Sequence, residues 1–386
     1  MEVYRPTPGC GVEERLKVLG IESSCDETAA AVVEDGCRLL SNVVASSMDL
    51  HVQYGGVVPE IAARSHIEAI LPVIQEALTE ASCAWGDIDA IAVTYGAGLG
   101  GSLLVGVLTA RTLAIAYNKP LYAVNHVEGH LYANFLTESA LPDYQLPANA
   151  PAFPALGLIV SGGHSQLVLF RDHFDYTLLG QTNDDAIGEA FDKVGKLLGL
   201  PYPGGVSVSN KALEGNPQAF ELPKARMATP SAALIELRHQ IGSEATHSYD
   251  FSFSGVKTAV LRLAQEQIGE DFTFPSPQIA ARLSEQQKAD IAASFQRVAI
   301  ETVVDKAVLA CQEFQPKSFI IGGGVASSPA LRAALAARLP LPAEYTDRKL
   351  CTDNGAMIAT LGCFKHSRGA EQADPFRLDI RPNLSM

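Results

Sequence analysis

At 386 residues the chain is longer than one hydrophobic core usually serves, so two lobes are expected. A hydrophobic share of 47% beside 19% charged residues fits a packed globular protein, and no apolar run approaching the roughly 18 residues of a membrane span is expected. The 29 Lys and Arg against 43 Asp and Glu leave a net charge of −14, which argues against an autonomous nucleic-acid binder working by phosphate neutralisation.

Residues 1–17 mix acid and base without an apolar centre, so a flexible extension is expected there and neither a secretory signal nor a transit peptide. The seven cysteines are odd in number and never form CxxC, which suits a reducing cytoplasm. From Val18, VLGIESSCDETAAAVVEDG reads as a strand, a polar turn holding Asp26 and Glu27, and a second strand. Residues 57–81 carry helical apolar spacing, with Pro59 near the start and a kink expected before Pro72. IDAIAVTYGAGLGGSLLVGVLTARTLAIAY then reads as strand, glycine turn and helix. PLYAVNH is a further strand, and it delivers His126 at its carboxyl end, where ligand sites of open α/β sheets lie.

His126 and His130 stand four residues apart, one helical turn above each other, which is metal-ligand spacing. The competing reading is a pair of surface imidazoles at a helix start, with Gly129 weakening the helix. The HExxH arrangement of metalloproteases is absent, because Val127 follows the first histidine.

After the prolines 142, 147, 151 and 154 the pattern begins again. ALGLIVSGGHSQLVLF repeats strand, turn and strand, and SFIIGGGVASSPALRAALAARL repeats strand, glycine turn and helix, so the chain reads as a duplication stretched by helical text between 180 and 310. Glycine turns at 98–101, 162–163 and 322–324 each follow an apolar strand. Each could serve a sharp turn alone, yet three together favour backbone N–H groups offered to a phosphate. Neither GxxxxGK[ST] nor GxGxxG is present. Asp184 and Asp185 are expected to cap the helix that follows; taken alone, Asp192 reads as a charge on a solvated face paired with Lys196, and Asp353 as the N-cap of the helix near the chain's end.

Taken together, GIESSCDET (20–28), YGGVVPEIAAR (54–64), NHVEGH (125–130), VSGGHSQL (160–167), DDAIGEAFDKVGKLLGLPYPGG (184–205), DFSFSGVKT (250–258), GGGVASSPALR (322–332) and CTDNGAMIA (351–359) resemble the tRNA N6-adenosine threonylcarbamoyltransferase family, the bacterial TsaD type. The resemblance implies the two-lobed actin-like ATPase fold of sugar kinases and Hsp70, with duplicated RNase H-like lobes and a helical insertion. Residues 18–150 with 350–386 would form lobe I, carrying the metal ligands, and 151–349 the donor-binding lobe II. It implies ferrous iron, with zinc the competitor, on His126, His130 and Asp353. Ile159, Val160, Ser161, Gly162 and Gly163 match the donor-cradling loop, Asp192 the ribose-binding carboxylate and Gly205 the backbone contact beside it.

Two positions depart from the family's phrases. Ser328 stands where an amide is common beside the nucleotide, and Ser209 where an acidic residue often follows YPGG. Asp26 and Glu27 would either discourage ATP hydrolysis or supply a base, and Lys257 is either a charge clamp or an exposed helix-start lysine. The implied reaction moves a threonylcarbamoyl group from threonylcarbamoyl-AMP to N6 of the adenosine 3′ of the anticodon in tRNA. Implied partners are a TsaB-like paralogue, a TsaE-like ATPase and a TsaC-like or Sua-type synthase, with no membrane. The alternatives are an ATPase or small-molecule kinase of the same fold, a metalloprotease, and a non-enzymatic scaffold paralogue lacking the metal site.

Overall fold

The computed structural model describes residues 15–225, 229–343 and 345–386. Of the expected flexible extension, residues 1–14 lie outside the described residues. Residues 15–17 are tied down, since Arg15 pairs with Glu34 at 2.7 Å and Leu16 N donates to Asp35 Oδ1.

The first half builds one sheet. Strand β1 (Lys17–Glu22) turns into β2 (Glu27–Glu34) and β2 into β3 (Arg38–Ser46), all antiparallel. Helices α1 (Met48–Val52) and α2 (Pro59–Glu80) follow, α2 running as one helix through Pro72. Next come β4 (Ala90–Gly96), α3 (Gly100–Tyr117), β5 (Leu121–Asn125), α4 (His126–Tyr132) and the short β6 (Glu138–Ser139). Strand order is β5-β4-β1-β2-β3-β6. Successive residues of β1 face opposite sides: Leu19 and Ile21 pack with α2 and α3, whereas Val18 joins the core under the last helix. Both faces are covered, which is why these strands read as continuous apolar runs.

The second half repeats the order. Strands β7 (Ala155–Val160), β8 (Ser165–Asp172) and β9 (Asp175–Gln181) are antiparallel, and five helices follow: α5 (Ile187–Leu197), α6 (Gly204–Ala212), α7 (Ala232–Ile241), α8 (Ser254–Gln267) and α9 (Glu285–Phe314). The long α9 begins in a capping box, with Ser284 Oγ accepting from Gln287 N and Gln287 Oε1 accepting from Ser284 N. Strand β10 (Ser318–Gly322) then pairs parallel with β7, ahead of α10 (Pro329–Arg338) and α11 (Gly355–Ser367). The order β10-β7-β8-β9 matches β4-β1-β2-β3 of the first sheet, with the glycine turns at 98–101 and 322–324 following the equivalent strands β4 and β10. The duplication that the repeat implied is present, and this order agrees with the two-lobed actin-like fold that the resemblance implied. Helix α11 returns from the chain's end to pack on β1 and β2.

Four expectations change. Helix α3 is, by length and composition, long and apolar enough to cross a membrane, with mean hydropathy 1.4 over 18 residues. It lies against β4 with Leu103, Val107, Ala110 and Ala114 buried, and its Arg111 donates to the carbonyls of Pro375, Phe376 and Leu378 in the C-terminal tail. Asp184 and Asp185 do not cap α5, whose N-cap is Ala186. Asp184 instead accepts from Phe253 N and the Ser252 hydroxyl, while Asp185 binds Lys193 and Lys257, each at 2.6 Å. Asp192 turns from Lys196 to accept from Gly204 N, because that amide at the start of α6 needs a partner. Asn354, not Asp353, caps α11 by accepting from Met357 N, so the Asp353 carboxylate is free to face elsewhere.

Candidate metal centre

Strand β5 hands the chain to α4 at Asn125, whose side-chain oxygen accepts from Val127 N at 2.9 Å while its amide donates to Ser385 O. All seven residues of α4 are buried, including both histidines, which excludes the surface-imidazole reading. Gly129 is explained by packing: a Cβ there would stand 3.0 Å from Ile358 Cδ1, so the missing side chain lets α4 lie close on α11. That approach brings Asp353, just ahead of α11, to the histidine face. Asp353 Oδ1 lies 3.6 Å from His126 Nε2 and 3.3 Å from His130 Nε2. The three ligand atoms all fall within 4.8 Å of one another, and the imidazole rings meet edge to face at 4.7 Å.

The chemistry of this set suits a cation. His130 is 1% exposed, yet its Nδ1 has no hydrogen-bond partner and its Nε2 has only the Asp353 carboxylate at 3.3 Å. An unpaired buried polar atom costs about 1–3 kcal/mol, which coordination would offset. Burial opposes the ionisation of Asp353, but His126 and then His130 outweigh it and hold the carboxyl below the usual range. Burial likewise disfavours a charged His126, but Asp353 and then Glu22 push it up to about 9. Two carboxylates thus face the histidine pair, and a divalent ion binding there would displace a proton from the imidazole. Two imidazoles and one carboxylate fit ions of the iron and zinc type.

Beyond β7, where Ile159 and Val160 are fully buried, Ser161 closes a tight turn: its N donates to His164 O at 2.8 Å and its Oγ accepts from His164 N. A Cβ on Gly162 or Gly163 would meet nothing within 4 Å, so their backbone faces open space. Gly188 at the start of α5 donates to Ser161 O, and the Gly322–Gly324 turn lies alongside, because a Cβ on Gly323 would stand 2.4 Å from Val160 O. His164 follows this loop; burial, then His126 and His130, depress its imidazole to about 4.

Asp192 Oδ1 accepts from Gly204 N at 2.7 Å, and burial of the carboxyl raises it against that bond. Gly205 has open space where a side chain would be. Ser209 Oγ donates to Gly205 O and Ser328 Oγ accepts from Leu331 N as the N-cap of α10, so each hydroxyl is engaged by its own helix. Asp26 and Glu27 sit at the β1–β2 turn, and Glu27 lies within electrostatic reach of both Asp353 and Asp26. Burial, then Asp192 and Asp26, push the Tyr202 phenol up, so one side chain senses carboxylates from both halves of the chain. Lys257 is a clamp on Asp185, not a free charge.

The sequence reading passed over Glu22, Ser24 and Thr94. Glu22 is fully buried and touches His126 Nδ1 at 3.2 Å through Oε2. A carboxylate closing an apolar strand was the signal, since such a group needs an internal partner.

A family model described as tRNA N6-adenosine threonylcarbamoyltransferase, TsaD, matches residues 38–360. Proteins of that name from Thermomicrobium roseum, Symbiobacterium thermophilum and Moorella thermoacetica are 46%, 48% and 43% identical to the chain, covering 96%, 92% and 96% of it. The alignments cover 96%, 92% and 97% of those proteins in turn. Both halves of the fold and all three cation-seeking side chains fall inside these matches, and the chain belongs to the tRNA N6-adenosine threonylcarbamoyltransferase family.

Proposed function

We propose that this chain transfers the threonylcarbamoyl group from threonylcarbamoyl-AMP to N6 of the adenosine 3′ of the anticodon in tRNA. The observation that carries the reading is the contact between its two halves. The open Ser161–Gly163 turn and the buried histidine pair share one wall, the Gly322–Gly323 backbone, which presses on both.

The acceptor amine is a poor nucleophile because its lone pair is delocalised into the purine, so the donor must be activated. His126, His130 and Asp353 would hold ferrous iron, with zinc as the competitor. When bound, such an ion supplies Lewis acidity at a carbonyl or phosphoryl oxygen. The remaining work falls to the chain. Backbone N–H groups of Gly162 and Gly163 orient the donor's phosphate and stabilise charge that builds on it. Asp192 keeps lone pairs beyond the one used by Gly204 N and accepts from a ribose hydroxyl, with Gly205 beside it. Ser209 and Ser328 are neighbours of this pocket. Burial, then Asp353 and Asp26, push the Glu27 carboxyl up. Asp26 and Glu27 either discourage ATP hydrolysis or supply the base.

The acidic overall charge leaves tRNA to a local basic surface or to a partner, for which a TsaB-like paralogue and a TsaE-like ATPase are our candidates, in the cytoplasm. The test supplies purified chain with threonylcarbamoyl-AMP and tRNA, with and without the paralogue, followed by nucleoside mass analysis. Modified adenosine is the expected product. ATP turnover with no modified nucleoside under either condition would overturn the reading in favour of an ATPase or kinase.

A further inference from the structure

Glu22 lies outside the three-residue ligand set, yet it is the carboxylate built most firmly into the protein beside it. It ends β1 and is 0% exposed. Oε1 accepts from Ser24 N at 2.6 Å, within its own turn. Oε2 accepts from the Thr94 hydroxyl at 2.5 Å, across to the neighbouring parallel strand β4, and the same oxygen faces His126 Nδ1 at 3.2 Å.

The chemistry of these contacts selects one form of the ring. Both fixed anchors donate to Glu22, so the carboxylate is an acceptor toward everything it meets. Facing it, Nδ1 carries the proton, and in the neutral ring Nε2 keeps its lone pair. Nε2 is the nitrogen that faces Asp353. Ser24 Oγ also stands 3.1 Å from Nδ1, but a hydroxyl donates as readily as it accepts and selects neither tautomer. His130 has no such support, because its Nδ1 is without a partner.

We propose that Glu22 is a positioning residue: held by Thr94 and Ser24 N, it orients His126 and fixes the tautomer that offers Nε2 to a divalent cation. This rests on the reading of His126, His130 and Asp353 as a metal site. Carboxylates behind a ligating histidine also raise its basicity, and losing one typically costs about 10–100-fold in metal affinity.

The test titrates the full chain with Co2+ and follows the visible d–d bands, which report affinity and ligand geometry without any turnover. Wild type, His130→Ala, Glu22→Gln, Ser24→Ala and Thr94→Val are compared, with circular dichroism as the folding control. Wild type is expected to bind one Co2+ that His130→Ala loses. Glu22→Gln should bind about 10–100-fold more weakly with shifted bands, because its amide must turn a donor toward Ser24 N or His126. Ser24→Ala should stay within about threefold of wild type. If wild type binds no Co2+, or His130→Ala binds it equally well, the metal-site reading fails and this inference with it. If wild type binds and folded Glu22→Gln matches it, or Ser24→Ala reproduces the loss, the metal site stands and the role of Glu22 is overturned. Should Glu22→Gln not fold, Thr94→Val decides: weakening beyond about threefold supports the positioning role, and unchanged binding overturns it.

Discussion

The end of β10 is pressed against the backbone of the metal helix: a Cβ on Gly322 would stand 2.5 Å from the carbonyl oxygen of His130. A main-chain oxygen cannot swing away as a side chain can. Gly322→Ala is therefore expected to push α4 from its seat, lowering stability by about 1–3 kcal/mol and weakening metal binding together. Urea unfolding and metal titration on one preparation check it; an unchanged midpoint with unchanged metal affinity would show that the two elements move apart freely.

His126→Ala should remove most bound metal and transferase activity while leaving the fold in place. His126 sits at the rim of the core, 7% exposed, so the lost packing is small beside a lost ligand. Metal content and circular dichroism separate these effects, and a variant with full metal and full activity rules out the site.

Asp192→Asn is expected to weaken the donor by roughly 1.5–3 kcal/mol while leaving tRNA affinity unchanged. Asn can still accept from Gly204 N, so the turn into α6 survives and the loss reports the charge-assisted bond to the ribose. Calorimetry with a donor analogue measures it. Equal affinity counts against the assignment.

Ser328→Asn should be tolerated. Ser328 caps α10 through Leu331 N, and Asn is as good a cap as Ser. Its longer amide is expected to tighten the donor by about 0.5–1.5 kcal/mol if the base lies against the Gly322–Gly324 turn. A tenfold loss, about 1.4 kcal/mol, would place the base elsewhere.

Glu313 anchors the segment around α7, accepting from Arg238, the Tyr249 hydroxyl and the Ser243 hydroxyl. Burial raises its carboxyl, but those bonds, Arg238 first, outweigh burial and hold it down to about 2. A carboxyl depressed in the folded state contributes stability above its unfolded pKa, near 4.3, and loses it as pH falls toward 2. Glu313→Gln should cost about 2 kcal/mol at pH 7 and flatten the acid limb of the stability profile across that window. Thermal melts from pH 7 down to pH 2 read both effects, and parallel profiles for variant and wild type would refute the linkage.

The sequence by itself determined the strands β1, β2, β4, β5, β7, β8 and β10, the glycine turns, the duplication and the family, because these are written in local periodicity and in contiguous phrases; β3, β6 and β9 went unread. It also exposed the spacing of His126 and His130, since four residues along a helix is a local distance. What only the tertiary structure decided concerns partners far apart in the chain. Read on its own Asp353 was a helix cap, and only the resemblance set it with the histidines; the contact itself forms because α11 returns to the first sheet and leaves capping to Asn354. Gly129 read as a flaw until α11 was seen packed against it. Asp185 read as a cap until Lys193 and Lys257 converged on it. Glu22 drew no notice, because a buried carboxylate shows its purpose only when the fold sets Thr94 and His126 beside it. Periodicity reports which face of an element is buried; it carries no record of which distant side chain will arrive to meet a charge there.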